Sequence, residues 1–403
     1  MDFEKLTQLA GPRWITVDAG ALEHNLKAVQ GLLQPATKLL AVVKADAYGF
    51  GAIEAARVFL KSGADYLGVT TLAEGLELRR AGITAPILLM SPLLPEELPP
   101  ALSNDLTLTI SSRAAAQAAV AAAVATGCRG RVHLKVETGL QRTGLPPQEL
   151  VPVAEEILTG NQLHLEGIYS HLAEAARPQA AIKQLNCFQA VLSELEARAI
   201  NIPLRHICNS SGLLTHPDWQ LDMVRIGTLL YGQFPYQAPR RGLELVDAWN
   251  FKARVVFVHE VERGTPVGYG GDYIAKKPTR LAVIPVGYAD GFALTAVSRP
   301  KNLNDLARHL VKTVLAYLGR GRDEGTIVTI NGEKAPVVGR VGMQLSLVDV
   351  SHLPDVKAGH EVTLSLRRPT ASARLARVYC RDGLIYLIRT PSGELVSASL
   401  PAY

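Results

Sequence analysis

The stretch that decides the fold runs Leu39-Leu-Ala-Val-Val-Lys44 and continues as Ala45-Asp-Ala-Tyr-Gly-Phe-Gly51. A short, continuous apolar run of this kind is typical of a strand buried on both faces of a parallel sheet. The turn that follows it is not the G-x-G-x-x-G of a dinucleotide-binding fold. The stretch therefore predicts a parallel strand that ends in Lys44, with Tyr48 just beyond it.

Apolar runs of this type alternate with longer, helix-like segments over the first part of the chain, and there are eight of them. Eight strand–helix repeats favour a (β/α)8 barrel, which typically takes about 250 residues. The alternative is a doubly wound open sheet, which the count of eight disfavours. The eight runs span residues 39–44, 66–70, 87–90, 106–110, 132–136, 163–169, 205–208 and 223–226.

The pattern changes after about residue 245, where helical periodicity fades and short apolar runs alternate with Gly, Pro and Asn turns. This pattern predicts a separate, mainly β domain. We therefore predict two domains, a barrel over residues 1–245 and a β domain over residues 246–403. Residues 301–320 resemble a helical insertion within the second domain.

Composition excludes several classes of protein. The chain has 403 residues, of which 48% are hydrophobic and 20% charged, and a formal net charge of +5 without a clustered basic face, so we expect no nucleic-acid partner. Its four cysteines form no C-x-x-C pair, and we expect no metal. No apolar run approaches the roughly 20 residues of a membrane span, and the N-terminus lacks a signal core. We expect a cytoplasmic protein.

Chemistry in a barrel sits at the carboxyl ends of the strands. A lysine there can form a Schiff base with a carbonyl cofactor such as pyridoxal phosphate, and the usual phosphate site follows strands seven and eight. Each such residue alone has an ordinary structural explanation, so the prediction rests on their sharing one rim. The predicted rim residues are Lys44, Tyr48, Lys135, Glu137, Arg142, His171, Asn209, Ser210, Ser211, Gly212, Arg225, Gly227 and Thr228.

The stretch from Ala41 to Gly51 resembles the signature A-V-V-K-A-N-A-Y-G-H-G of the alanine racemase family. Similar motifs follow in the family's order over more than 300 residues, which makes the set specific although each motif alone is weak. They are Arg13-Trp-Ile-Thr-Val-Asp18, Leu134-Lys-Val-Glu-Thr-Gly-Leu-Gln-Arg142, Tyr169-Ser-His171, Asn209-Ser210, Asp222-Met-Val-Arg-Ile-Gly227, Tyr231-Gly232, Val267-Gly-Tyr-Gly270, Pro285-Val-Gly-Tyr-Ala-Asp-Gly291 and Val338-Gly-Arg-Val-Gly-Met343.

The resemblance implies a pyridoxal 5'-phosphate enzyme that racemises alanine by a two-base mechanism and supplies D-alanine for peptidoglycan. It implies that Lys44 carries the cofactor and is one base, and that Tyr269, supplied by the partner subunit of a homodimer, is the other. Arg225 would face the ring nitrogen of the cofactor, and His171 would lie near Tyr269 and the ring. Lys135 matches a position that is carbamylated in some members.

The remaining implied roles concern binding. Arg142 and the backbone of Met343 would hold the substrate, which makes Met343 the second contribution of the β domain to the partner's active site. The residues implied to hold the cofactor phosphate are Tyr48, Ser210, Gly227 and Thr228.

Four positions depart from the family pattern. Asp46 and Phe50 replace Asn and His near Lys44, Gln344 stands where Asp usually follows Met, and Leu366 replaces a Tyr at the inner entrance. Leucine cannot donate a hydrogen bond to a phosphate, and its smaller side chain widens an entrance. We therefore predict relaxed or altered substrate choice, with a larger amino acid as the candidate substrate. The stretch of residues 293–325 is also longer than the family norm.

Three functions stay open on the sequence. The first is alanine racemase. The second is a racemase, lyase or decarboxylase for another or broader range of amino acids on the same scaffold, and the third is a non-catalytic cofactor-binding protein. Replacement of Tyr269 by Phe separates racemisation from one-base reactions of the same cofactor, because only racemisation needs a base opposite Lys44.

Overall fold

The computed structural model describes residues 8–294, 300, 303–317 and 327–397. The chain divides into two compact units. One is residues 19–248, and the other joins the described residues up to Asp18 to those from Trp249 onwards. The first strand, β1 (Arg13–Asp18), belongs to the second unit. The predicted first domain, residues 1–245, therefore differs from the structure at its start.

The unit of residues 19–248 is a closed barrel of parallel strands. Its strands form two four-stranded sheets, in the orders β4-β3-β2-β9 and β5-β6-β7-β8. Parallel bridges from Leu88 to Thr107 and from Asn209 to Arg225 join the sheets at both seams. The strands are β2 (Lys38–Val42), β3 (Tyr66–Val69), β4 (Ile87–Leu89), β5 (Leu108–Ile110), β6 (Gly130–Lys135), β7 (Leu163–Tyr169), β8 (Leu204–His206) and β9 (Met223–Ile226).

The predicted (β/α)8 barrel is thus confirmed, and the open-sheet alternative is wrong because bridges at both seams leave no free edge between the two sheets. The strands are buried on both faces, as their continuous apolar sequences require. The helices cover them with apolar stripes. They are α1 (Ala19–Gln30), α2 (Ala52–Lys61), α3 (Leu72–Arg80), α4 (Leu98–Ser103), α5 (Arg113–Thr126), α6 (Leu150–Thr159), α7 (Pro178–Ala197) and α8 (Ser210–Thr215).

The second unit is mainly β, as predicted. Its principal sheet has the order β11-β14-β17-β16-β15-β18-β10-β1-β19-β20-β21. Helix α9 (Leu303–Tyr317) lies within the predicted helical insertion. The strands are β10 (Trp249–Arg254), β11 (Phe257–Val261), β12 (Pro266–Val267), β13 (Tyr273–Ile274), β14 (Thr279–Ile284), β15 (Ile327–Ile330), β16 (Glu333–Val338), β17 (Ser346–Asp349), β18 (Glu361–Leu364), β19 (Ala376–Arg381), β20 (Leu384–Arg389) and β21 (Leu395–Ser397).

Strand β1 joins this sheet because both of its edges find partners there. It pairs antiparallel with β10 and parallel with β19. Trp14 is 2% exposed and packs in an apolar cluster with Val378 and Ile388. Strands β10 and β19 are more than 230 residues from β1 along the chain, so local sequence patterns could not predict the pairing. No helix among the described residues is long and apolar enough to cross a membrane.

Candidate active site

The carboxyl ends of the barrel strands surround a cavity of about 470 Å³. Eleven of the thirteen predicted rim residues line it, whereas Glu137 and Gly212 do not. Sequence reasoning did not single out Thr70 and Met90, which also line it. Their positions at or just beyond strand ends are the signal that would have found them. The predicted residues that line the cavity are Lys44, Tyr48, Lys135, Arg142, His171, Asn209, Ser210, Ser211, Arg225, Gly227 and Thr228.

Lys44 enters the cavity from a left-handed turn that directly follows β2. The φ angles of Ala45, Asp46 and Ala47 are 53°, 52° and 53°, and that of Tyr48 is 56°. A left-handed turn of residues with a β-carbon costs roughly 1–2 kcal/mol per residue. Hydrogen bonds hold this one, since Asp46 accepts the backbone N–H of Ala52 at 2.9 Å through its side chain. The turn lets Lys44 and Tyr48 line the same cavity.

The cavity is strongly positive. Four cationic side chains line it, and none of the described lining residues is Asp or Glu. Burial lowers the pKa of Lys44, and the charge of Arg142 lowers it further, although Glu74 partly offsets both effects. Burial and the charges of Arg142 and Arg225 lower the pKa of Lys135 to about 8. Such a site suits a ligand with phosphate and carboxylate groups.

Arg225 is 3% exposed and lies at the head of a chain of hydrogen bonds across four adjacent strands. Its Nη1 donates to Nδ1 of His206 at 2.8 Å, and His206 Nε2 lies 2.9 Å from His133 Nδ1. His133 Nε2 lies 3.1 Å from Glu166 Oε2. An arginine can only donate, so each neutral imidazole accepts at Nδ1 and donates from Nε2. The chain therefore points from the guanidinium to the carboxylate.

Both histidines of this chain stay neutral. Burial lowers the pKa of His133 and of His206. The charge of Arg225 adds to the effect at both residues, and Glu166 partly offsets it at His133. Burial alone would raise the pKa of Glu166, but its hydrogen bond from His133 keeps that pKa below the usual value. Sequence reasoning missed all three residues. Polar residues on adjacent, otherwise apolar barrel strands were the available signal.

His171 lies beside Arg225, with its Nδ1 3.4 Å from Nη2 of the guanidinium. Burial and the neighbouring charges of Arg225 and Arg142 lower the pKa of His171 to about 3. At neutral pH this histidine is uncharged, so it adds no fifth positive charge to the cavity.

Three hydroxyl-bearing residues and one glycine cluster at the end of β9. Ser210 Oγ accepts the backbone N–H of Gly227 at 3.1 Å. A β-carbon on Gly227 would lie only 2.4 Å from the hydroxyl oxygen of Tyr48, so glycine is required for this close approach. The Tyr48 ring packs against Tyr231 at 4.8 Å. With Thr228, these groups form a compact cradle of hydroxyls that fits a phosphate.

Tyr269 and Met343 are the two predicted site residues in the second unit. Tyr269 begins a short 3-10 turn, Tyr269–Gly271, and its side chain is 75% exposed. Met343 is 60% exposed. Both side chains are therefore accessible on their own unit.

The departures near Lys44 have local structural roles. Asp46 uses its carboxylate to hold the left-handed turn, as described above. Phe50 is fully buried and packs against Tyr231 with ring centroids 4.8 Å apart. Gln344 is exposed, and Leu366 is partly buried with its Cδ1 beside Gly291.

Comparison with known proteins gives consistent matches. Residues 17–235 match the family model of the alanine racemase N-terminal domain, and residues 248–379 match that of the C-terminal domain. Alanine racemase from Desulfovibrio desulfuricans is 37% identical over 355 residues, which cover 88% of this chain and 89% of the relative.

Solved structures agree with the sequence comparison. Alanine racemase from Clostridium difficile 630 superposes with a TM-score of 0.83 at 31% identity, covering 94% of this chain and 98% of that one. Alanine racemase from Bacillus anthracis with bound L-Ala-P superposes with a TM-score of 0.80 at 27% identity, covering 96% and 97%. The chain belongs to the alanine racemase family, whose members are amino-acid isomerases.

Proposed function

We propose that this chain interconverts L-alanine and D-alanine with pyridoxal 5'-phosphate as cofactor. One observation supports this most directly: Lys44, with its lowered pKa, shares a barrel-rim cavity with three other cations and a cradle of hydroxyls. A lysine amine is nucleophilic only when neutral, and a phosphorylated aldehyde is an anion. In this site the lowered pKa of Lys44 favours the neutral amine, and the other cations and the hydroxyl cradle can bind the phosphate.

The cofactor's phosphate would lie among Tyr48, Ser210, Gly227 and Thr228, and its aldehyde carbon beside Lys44. When bound, pyridoxal phosphate withdraws electrons from the substrate's Cα–H bond and so makes that proton acidic. Arg225 would face the ring nitrogen. Burial lowers the pKa of Arg225 to about 10, so it remains a cation at neutral pH and opposes protonation of that nitrogen. An unprotonated ring nitrogen would accept less of the negative charge that develops on the substrate, which disfavours side reactions such as transamination.

Racemisation requires that a proton leave Cα on one face and return on the other. Lys44 Nζ would exchange the proton on one face, because burial and Arg142 favour its neutral form. The partner subunit's Tyr269 would serve the opposite face in a homodimer. The exposure of Tyr269 and of Met343 suits residues offered to a second chain. Arg142 would hold the substrate carboxylate with two parallel hydrogen bonds.

The decisive experiment measures D-alanine formation from L-alanine by the purified protein after loading with pyridoxal phosphate. Lys44→Ala serves as the control. We expect formation that Lys44→Ala abolishes and Tyr269→Phe reduces strongly. A protein that takes up the cofactor but exchanges no Cα proton would support a non-catalytic cofactor-binding role instead.

A second candidate is a racemase with a broader amino-acid range. It rests on Leu366 and Gln344, where the family pattern has Tyr and Asp. A panel of L-amino acids of increasing side-chain volume tests it. A preference for alanine of about a hundredfold over larger side chains would contradict it, since pocket discrimination of that size requires tight steric exclusion.

A further inference from the structure

A single carboxylate connects the carboxyl ends of strands β2 and β3. Glu74 is in the first turn of α3, and its Oε2 accepts the backbone N–H of Thr70 at 2.8 Å and of Thr71 at 3.1 Å. Its Oε1 accepts the backbone N–H of Ala45 at 2.6 Å. Ala45 follows Lys44 directly. Glu74 thus links the loop after β3 to the backbone that carries Lys44.

Helix capping explains only one of these three contacts. Thr71 Oγ1 accepts the backbone N–H of Glu74 at 3.3 Å, and Glu74 Oε2 in turn accepts the backbone N–H of Thr71. This reciprocal pair is a capping box and stabilises the start of α3. The capping box does not use Oε1. The contact of Oε1 with Ala45 therefore has a separate cause.

The left-handed turn supplies that cause. Ala45 is its first residue, with φ and ψ both at 53°. A residue with a β-carbon holds this conformation only where surrounding contacts fix it. The N–H of Ala45 is one peptide bond from Lys44, so an acceptor that fixes this N–H also fixes the direction of the lysine side chain.

We propose that Glu74 is a positioning residue for Lys44: it holds the left-handed turn at Ala45 and places a negative charge against the backbone that carries the lysine. The proposal deepens the proposed function, because it assigns a residue that sets the geometry and basicity of the group expected to carry the cofactor. Glu74 does not line the cavity, so it acts only through Lys44.

The charges around Lys44 define what a variant should change. Burial and Arg142 lower the pKa of Lys44, and Glu74 raises it. Lys44 in turn lowers the pKa of Lys135 and of His171. Loss of the Glu74 charge should therefore move the pKa of Lys44 further down, while loss of the neighbouring cap should leave it unchanged.

The test compares Glu74→Gln with Thr71→Ala. Glutamine keeps the size of the side chain but removes its charge, and its NH₂ group must face either the N–H of Ala45 or those of Thr70 and Thr71. Thr71→Ala weakens the same capping box without touching the contact to Ala45. Thermal unfolding of both variants establishes that each is folded and measures the shared cost of the cap.

The first readout is the pH dependence of Lys44 acetylation by acetic anhydride, followed by peptide mass spectrometry on the full chain before cofactor is added. We expect the midpoint to move to lower pH in Glu74→Gln and to stay in place in Thr71→Ala. The second readout is turnover of the cofactor-loaded protein. We expect kcat to fall roughly 10- to 100-fold in Glu74→Gln with little change in KM, as expected for a misplaced reacting group.

Equal behaviour of the two variants would overturn the proposal, because Glu74 would then only cap α3. An unchanged acetylation midpoint in Glu74→Gln would also overturn it. If wild-type protein does not racemise alanine but the midpoint still shifts in Glu74→Gln alone, the proposed function fails while the placement of Lys44 by Glu74 stands.

Discussion

Two connections on the same barrel rim join a strand to the next helix in different ways. We call the segment that follows β2 the β2 exit and the segment that follows β5 the β5 exit. After β5, Ser112 accepts the backbone N–H of Ala115 at 3.1 Å, and α5 runs to Gly127, whose φ of 67° ends it. After β2, the chain first makes the left-handed turn from Lys44 and reaches α2 only after two glycines. Both routes connect a buried strand to a covering helix.

The difference shows what each exit serves. The β5 exit follows helix-capping rules throughout, and its first helical residue, Arg113, is an exposed partner of Glu156. The β2 exit violates backbone preference at four consecutive residues with β-carbons. Departures from local preference concentrate at functional sites, where geometry matters more than stability. Here the departure places Lys44 and Tyr48 in one cavity.

The largest effect is expected from a comparison of the cationic residues that follow the two strands, Lys44 after β2 and Arg113 after β5. Lys44→Ala should lower the racemisation rate by more than the roughly 10²–10⁴-fold that is usual for a lost acid–base group, because it should also abolish stable binding of the cofactor. Arg113→Ala should leave both unchanged, because it loses only an exposed ion pair. Steady-state kinetics and cofactor absorbance measure these effects. Equal losses in the two variants would remove the functional distinction between the exits.

A second test introduces a steric clash with Tyr48, the last residue of the left-handed turn after β2, by substitution of Gly227 on the opposite side of the cavity. Gly227→Ala places a methyl group 2.4 Å from the Tyr48 hydroxyl and must displace it, so cofactor affinity should fall about tenfold or more. Gly31→Ala is the matched control, because its β-carbon meets only ordinary contacts at 3.4 Å or more. Fluorescence titration with pyridoxal phosphate gives both affinities. Unchanged affinity in Gly227→Ala would show that Tyr48 does not contribute to cofactor binding.

A smaller effect is expected when two exposed alanines are replaced by glycine, since the two substitutions should change the free energy of unfolding in opposite directions. Ala45→Gly should stabilise the fold by up to roughly 1 kcal/mol, because glycine adopts the left-handed conformation without the β-carbon penalty. Ala121→Gly, in the middle of the regular helix α5, should destabilise it by about 1 kcal/mol. Chemical denaturation measures both. Destabilisation by both substitutions would show that the turn carries no strain that glycine relieves.

The smallest expected change concerns charge within the cavity. Because burial and two arginines lower the pKa of His171 to about 3, this histidine binds a proton only near that pH. Its ring proton resonance should therefore not shift between pH 5 and pH 8, and His171→Asn identifies the signal. A midpoint near the reference value of about 6.5 would show that the cavity is less positive than described.

The sequence predicted much of the barrel and of the rim, for a physical reason. Strands buried on both faces read as continuous apolar runs, and residues just beyond them must meet at one rim. The left-handed turn was not predictable, because Ala45 and Ala47 have no preference for positive φ, and one Asp between them does not mark four consecutive left-handed residues. The pairing of β1 with β10 and β19 was equally hidden, since it depends on contacts between distant segments.

The hydrogen-bonded chain from Arg225 to Glu166 has a consequence for the acid resistance of the fold. His133 and His206 are neutral in the folded protein, with pKa values lowered by burial, but in the unfolded chain each takes up a proton near pH 6.5. Their contribution to stability is thus fully present above about pH 6.5 and declines as acid favours the unfolded state. Acidification acts on the barrel's own interior, whether or not the cavity holds a ligand.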